Sequence, residues 1–408
     1  AAAGAGLLLV GVAVARWPLD TVRVITVAAG VVVAGGGATL LLRGALMAMG
    51  ELRPAEYADR VRHPRAVIVG GAAVAILGVA ATLGVWFSSA VSPEPSPVEP
   101  APITVCNGHE LLCDRPLDQV TFPATHNSMA AASNRGWYFP SQRYGIAQQL
   151  RDGVRALLID TYYGIPSPQG VLTVIDATER RPEAVRRHGE EVVEAWERLS
   201  GRMAAEGEPE LYLCHSYCEL GATPLRAALV DIRDYLDEYP GEFIVVVVQD
   251  TTSPEDTVRA FEEADLASRA YAHTSGEPWP TLGELLAEGL QLLVLAEERA
   301  GEADWYQPAF ALVQETRFQA PTIEDLGCEP GRGDASNPLF LLNHWVSERP
   351  ALPSRALEVN AYDLIVERAR TCAEQRGRVP NLVVVDFYDV GDVLAAVRAL
   401  NGLPAQDE

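Results

Sequence analysis

Two runs of this chain, FIVVVVQ at 243–249 and NLVVVDF at 381–387, carry almost uninterrupted apolar and β-branched side chains. A strand with one wet face alternates apolar with polar residues, so a run without alternation belongs in a sheet covered on both faces. Shorter runs of similar character lie at 120–124, 156–160, 210–214, 291–296, 310–313 and 339–342, separated by helical stretches such as 183–205, 224–238, 254–266 and 355–376. Strands alternating with helices predict a parallel sheet. Eight of them in a domain of about 300 residues predict an α/β fold, a (β/α)8 TIM-type barrel over 106–408.

The strand ends carry the chemistry. His126 and Asn127 follow the first, Asp160 closes the second, His215 follows the third, and Gln249 with Asp250 closes the fourth. Glu297 and Glu298 follow the fifth, Asn343 and His344 the seventh, and Asp386 closes the eighth. A barrel gathers such ends on one rim, where active sites of this fold are built. His126 and His215 on one rim can act as general base and general acid, because imidazole titrates near neutrality. Asp386 is available to orient one of them, which suits in-line displacement at phosphorus. Charge developing on phosphoryl oxygens calls for a cation. The acidic rim points to a divalent metal held by Asn127, Asp160 and Gln249 or Asp250, with Arg135 and Arg143 as alternative counter-charges. Asn343 and His344 are the expected substrate contacts.

The front of the chain is of another kind. Apolar stretches at 1–15, 22–42 and 66–87 predict two to three transmembrane helices, the first read as the remnant of a span. Five arginines between the last two stretches predict a cytoplasmic loop there, placing everything after residue 87 outside the cytoplasm. A Pro-rich linker over 88–105 then spaces the barrel from the bilayer. The expected setting is a multi-pass cell-membrane protein with an extracytoplasmic catalytic domain. All six cysteines follow the last apolar stretch, which reads as disulfides. Proximity in sequence favours Cys106 with Cys113, Cys214 with Cys218 and Cys328 with Cys372; a zinc cluster at Cys214-His215-Cys218 lacks a fourth ligand. A formal charge of -23 excludes a nucleic-acid partner, since nothing here would neutralise a phosphate backbone.

The segments PATHNSMA (123–130), GVRALLID (153–160), LYLCHSYCELG (211–221), GEFIVVVVQD (241–250), LLNHW (341–345) and PNLVVVDFYDVGD (380–392) together resemble the phosphatidylinositol-specific phospholipase C X-domain group of PLC-like phosphodiesterases. The resemblance implies His126 as base, His215 as acid, Asp386 as the partner of the base, and Asn127 and Asp160 as calcium-binding positions. Leu158 and Gln249 stand where calcium-dependent members carry acidic ligands. A phospholipid or other phosphodiester is the implied substrate. Two other readings compete: a glycerophosphodiester phosphodiesterase-like enzyme on the same barrel, and a catalytically inactive barrel acting as a surface binding module. The GRGD stretch at 331–334 reads as a solvated turn.

Overall fold

The computed structural model describes residues 103–174, 181–348 and 350–404. Residues 1–100 separate from 101–408 as a unit of their own. The three expected membrane spans and most of the linker lie outside the described residues, and among the described ones no helix is long and apolar enough to cross a membrane.

Eleven strands are described: β1 (Phe122–Thr125), β2 (Ala156–Ser167), β3 (Gly170–Thr173), β4 (Glu210–Cys214), β5 (Ala222–Pro224), β6 (Ile244–Asp250), β7 (Leu292–Ala296), β8 (Tyr306–Pro308), β9 (Val313–Glu315), β10 (Leu339–Asn343) and β11 (Leu382–Val385). Eight of them follow the path β8-β7-β6-β2-β1-β11-β10-β9, and every ladder along it is parallel. Sequence neighbours are spatial neighbours, and the first strand pairs with the last. This is the order of a (β/α)8 barrel with one seam, between β8 and β9, that no ladder closes among the described residues.

Two of the expected barrel strands are corrected. The run 210–214 forms β4, which pairs antiparallel with the outer half of β2 (Thr161↔Leu213, Gly164↔Glu210) and lies off the barrel path. β2 is twice as long as its apolar core suggests. Its first half joins the wall beside β6 and its second half leaves the barrel to support β3, β4 and β5. The eighth place in the wall goes to β8, a three-residue strand too short to show in the sequence. The sixth expected strand, 310–313, is mostly the helical turn Ala309–Leu312, with β9 beginning at Val313. Two expected helices are also broken. One divides at Gly189, whose φ of 93° favours glycine, and the other at Asn360 and Ala361.

Side-chain parity explains the uninterrupted apolar runs. Phe122, Ala124, Ala156, Val245, Val247, Leu293, Leu295, Leu339, Leu341, Leu382 and Val384 fall in one core cluster, inside the barrel. Leu157, Ile159, Ile244, Val246, Val248, Leu292, Val294, Phe340, Leu342, Val383 and Val385 fall in another, with Leu225, Ile232, Phe261 and Ile365 of the surrounding helices. Successive residues on a strand point to opposite faces, so here both faces are core.

All three disulfides match the pairings favoured by proximity: Cys106–Cys113, Cys214–Cys218 and Cys328–Cys372. No cysteine among the described residues is free, the chemistry of an oxidising compartment.

Candidate active site

The same parity selects which strand-end residues enter the barrel mouth. His126 continues the inward series of Phe122 and Ala124, Asp160 that of Ala156 and Leu158, Gln249 that of Val245 and Val247, Asn343 that of Leu339 and Leu341, and Asp386 that of Leu382 and Val384. All five line one cavity of about 500 Å3, together with His215.

Each histidine is backed by a carboxylate. His126 Nδ1 donates to Asp386 Oδ1 at 2.9 Å, and His215 Nδ1 donates to Asp160 Oδ2 at 2.8 Å. No hydrogen bond among the described residues engages Nε2 of either ring, and the ring centroids are 6.4 Å apart. Such bonds fix tautomer and orientation and would stabilise each imidazolium. Asp160, expected as a metal ligand, is thus a partner of a histidine.

The chain around His126 is held from several sides. Its backbone N–H extends the ladder by donating to Val385 O (2.9 Å), and Gln142 Nε2 donates to both His126 O (2.8 Å) and Val385 O (3.0 Å). Asn127 takes a φ of 45°, a left-handed conformation that asparagine tolerates, and turns the chain at the strand end. Trp345 lies flat on the His126 ring, centroids 4.0 Å apart. Behind Asp386, Asn360 Nδ2 donates to its carbonyl oxygen at 2.9 Å.

His215 arrives by a different route. β2 carries the chain outward and β4 brings it back, so that residue 215 returns to the level of Asp160. The Cys214–Cys218 disulfide closes the loop CHSYC around it. Glu219, buried, accepts from Thr173 N (3.1 Å) and Thr173 Oγ1 (2.6 Å), and the Thr173 hydroxyl accepts from Cys218 N (2.7 Å). Gly221 is required next to this turn: a Cβ there would meet the Trp137 ring at 2.4 Å, and Trp137 lines the cavity.

Four expected site residues stand elsewhere. Asp250 has the opposite parity to Gln249 and faces the helices; its carboxylate accepts from the backbone N–H of Glu298 (2.8 Å) and Arg299 (2.7 Å). Burial raises its pKa against the pull of these bonds. His344, opposite in parity to Asn343, is fully buried: Nε2 donates to Val359 O at 2.9 Å and Nδ1 accepts from Arg368 at 3.0 Å. Burial and then the Arg368 charge push its pKa down to about 3, so it is neutral and structural. Arg143 pairs with Asp389 at 3.2 Å, and Arg135 is exposed; neither lines the cavity.

Sequence reasoning missed the arginine that does. Arg332, from the GRGD stretch read as a solvated turn, lines the cavity between two inward carboxylates. Nη1 and Nη2 donate to Glu297 (2.7 and 3.2 Å), and Nε and Nη2 donate to Glu315 (2.7 and 3.2 Å). Phe310 and Phe318 flank the guanidinium, 4.2 and 5.4 Å from it. Gly333, at φ 83°, lets the turn press against β9, where a Cβ would come 2.0 Å from Val313 O.

Four oxygen donors were expected to gather around a calcium ion. Asn127, Asp160 and Gln249 share the cavity, but Asp160 holds His215, Asn127 Nδ2 donates weakly to Ser141 Oγ (3.4 Å), and Asp250 faces away. Among the described residues no three His, Cys, Asp or Glu side chains are grouped so as to hold a metal. The donor set does not fit the ion.

A family model described as PI-PLC X 1 matches residues 198–401, half of the chain. The chain belongs to the PI-PLC X family. The match includes His215, Arg332 and Asp386, while His126, Asn127 and Asp160 precede it. A protein of Arthroderma benhamiae named as an uncharacterized secreted protein is 25% identical over 333 residues, covering 75% of this chain and 64% of its own length. The present PI-PLC X chain therefore spans just under two thirds of that relative. A second protein of that fungus, named PI-PLC X domain-containing protein 1, is 24% identical over 321 residues, 73% of this chain and 90% of its own. An Arabidopsis thaliana protein, named PI-PLC X domain-containing protein At5g67130, is 22% identical over 332 residues, 74% and 65% of the two chains. Among solved structures, a phosphatidylinositol-specific phospholipase C of S. aureus aligns with a TM-score of 0.40 and 14% identity, over 72% of this chain and 95% of that one.

Proposed function

We propose that this chain is a phosphoric diester hydrolase of phospholipase C type, acting on a phosphoinositide-like or other glycerophospholipid. The observation that carries the reading is the pair of histidines, each with Nδ1 on a carboxylate, bordering one cavity with ring centroids 6.4 Å apart. His126 takes the proton from a hydroxyl of the substrate, or from water. That oxygen bonds to phosphorus as the bond to the leaving oxygen breaks, and His215 supplies the proton the leaving oxygen needs. Asp386 and Asp160 stabilise the imidazolium forms on either side of the reaction. Attack by a substrate hydroxyl yields a cyclic phosphate, whereas attack by water yields a monoester.

An inactive barrel would have no need for two separately backed imidazoles at one cavity. The reading places the domain outside the cytoplasm, near lipid, held by the apolar front of the chain. Phosphatidylinositol vesicles and a soluble glycerophosphodiester incubated with the full chain, with products followed by 31P NMR, test it. Turnover that His126→Ala and His215→Ala each lower by about 10² to 10⁴ is the expected result. No turnover on either substrate, or turnover indifferent to both substitutions, would overturn it.

A further inference from the structure

A cavity that receives a phosphodiester needs positive charge beside the phosphorus, and its wall carries Asp160, Glu315, Glu348 and Asp386, with Glu297 beneath Arg332. Asp386 and Asp160 are answered by the two histidines. Glu297 and Glu315 are answered by Arg332, the one arginine among the described residues of the lining. We propose that Arg332 is the built-in cation of this site: it binds a phosphoryl oxygen of the substrate and, by holding Glu297 and Glu315, withholds those two carboxylates from calcium. The inference rests on the phosphodiesterase reading for its chemistry and on the geometry of the triad for the residue.

A guanidinium has five N–H hydrogens. Four are engaged by the two carboxylates, and one on Nη1 has no partner among the described residues. The side chain lines the cavity and remains 37% exposed. Burial works against the charge of Arg332, but the Glu315 and Glu297 carboxylates outweigh it and hold the guanidinium pKa above its ordinary value. Burial raises the pKa of the Glu297 carboxyl against the pull of the Arg332 charge.

Rigidity supports the assignment. The chain leading to Arg332 is tied to the helix Tyr362–Arg376 by the Cys328–Cys372 disulfide. Arg368 Nη2 donates to Gly327 O (2.7 Å) and Arg376 Nη2 to Cys328 O (2.8 Å) from the same helix. Glu315 N donates to Arg332 O at 3.0 Å, fixing the turn to β9. A fixed guanidinium aimed at a reacting centre needs no reorganisation as charge develops.

Binding to the full chain decides the matter with two probes, inorganic phosphate and calcium chloride, both followed by titration calorimetry. In EDTA the unaltered protein should bind phosphate, and Arg332→Ala should weaken it at least about tenfold, the worth of one charge-assisted hydrogen bond. Without EDTA the unaltered protein should show no saturable calcium binding up to about 1 mM, whereas Arg332→Ala should gain a calcium site from the freed carboxylates. Should Arg332→Ala fail to fold, the triple variant Arg332→Met, Glu297→Gln, Glu315→Gln removes every charge of the triad together. It should lose phosphate binding without gaining calcium. Phosphate binding unchanged in either variant, or a calcium site in the unaltered protein that Glu297→Gln removes, would overturn the proposal. A protein that binds phosphate through Arg332 yet cleaves no phosphodiester would leave this inference standing and remove the proposed function.

Discussion

His126 stands on a strand of the barrel wall, His215 on a loop outside it, and each meets a carboxylate at nearly the same distance, 2.9 and 2.8 Å. The first inherits its position from the sheet: β1 and β11 are adjacent strands, so His126 and Asp386 are brought together by the same ladder that forms the core. Trp345 covers its ring, and 25% of the side chain is exposed. The second has no such inheritance. Its loop depends on a disulfide, on the Glu219–Thr173 bonds and on the outward half of β2, and 40% of the side chain is exposed. Equivalent chemistry is reached by packing in one case and by covalent and polar ties in the other, so the two sides should fail under different insults.

The largest effect should not distinguish them. His126→Ala and His215→Ala should each lower kcat for phosphodiester cleavage by about 10² to 10⁴. A variant losing much less would break the symmetry of roles. The disulfide should separate the two sides. Cys214→Ser with Cys218→Ser should lower kcat by up to about a hundredfold through a displaced His215, while the far-ultraviolet spectrum and melting temperature of the barrel change little. Equal loss of fold and activity would show that the loop is part of the core.

His344 supplies the contrast to both, a strand-end histidine backed by an arginine instead of a carboxylate. Its pKa, about 3 in the folded protein against an ordinary 6.5, means the unfolded chain binds the proton first as pH falls. Its contribution to stability is complete above pH 6.5 and is lost as pH falls from there toward 3, by at most about 1.4 kcal/mol per pH unit. Urea unfolding at about pH 7 and about pH 5 should show this loss, with a smaller slope in His344→Gln. The smallest effect belongs to the stacking on His126: Trp345→Leu should lower kcat by about threefold to tenfold, in line with roughly 0.5–1.5 kcal/mol for an aromatic pair. His215→Ala combined with it would report whether the loss acts through His126 alone.

Much of the site was legible, and a finer rule would have read more. His126, Asp160, Gln249, Asn343 and Asp386 stand where the strand-end argument put them. Asp250 and His344 were grouped with them by proximity in sequence alone. Each lies one residue past an inward position, and a one-residue step reverses the face of a strand. Counting alternate residues from Val245 or Leu339 would have excluded both, and counting from Leu293 would have selected Glu297 over Glu298. Arg332 left no such signal. GRGD has neither periodicity nor apolar character, and only its packing against Glu297 and Glu315 distinguishes it from a solvated turn.

By itself the sequence determined the class of fold and put two histidines at strand ends, because uninterrupted β-branched runs and strand-end polar residues are local patterns with local causes; for the disulfides it offered only proximity, and the fold decided the pairing. The tertiary structure decided which strands close the barrel, since β4 reads as a wall strand yet pairs outside the wall, while the three-residue β8 stands within it. It also decided the carboxylate that holds each histidine and the cation that answers Glu297 and Glu315. Those depend on contacts between residues 55 positions apart for Asp160 and His215 and 260 for His126 and Asp386. The sheet fixes such distances through hydrogen bonds between strands, and nothing in a run of neighbouring residues records them.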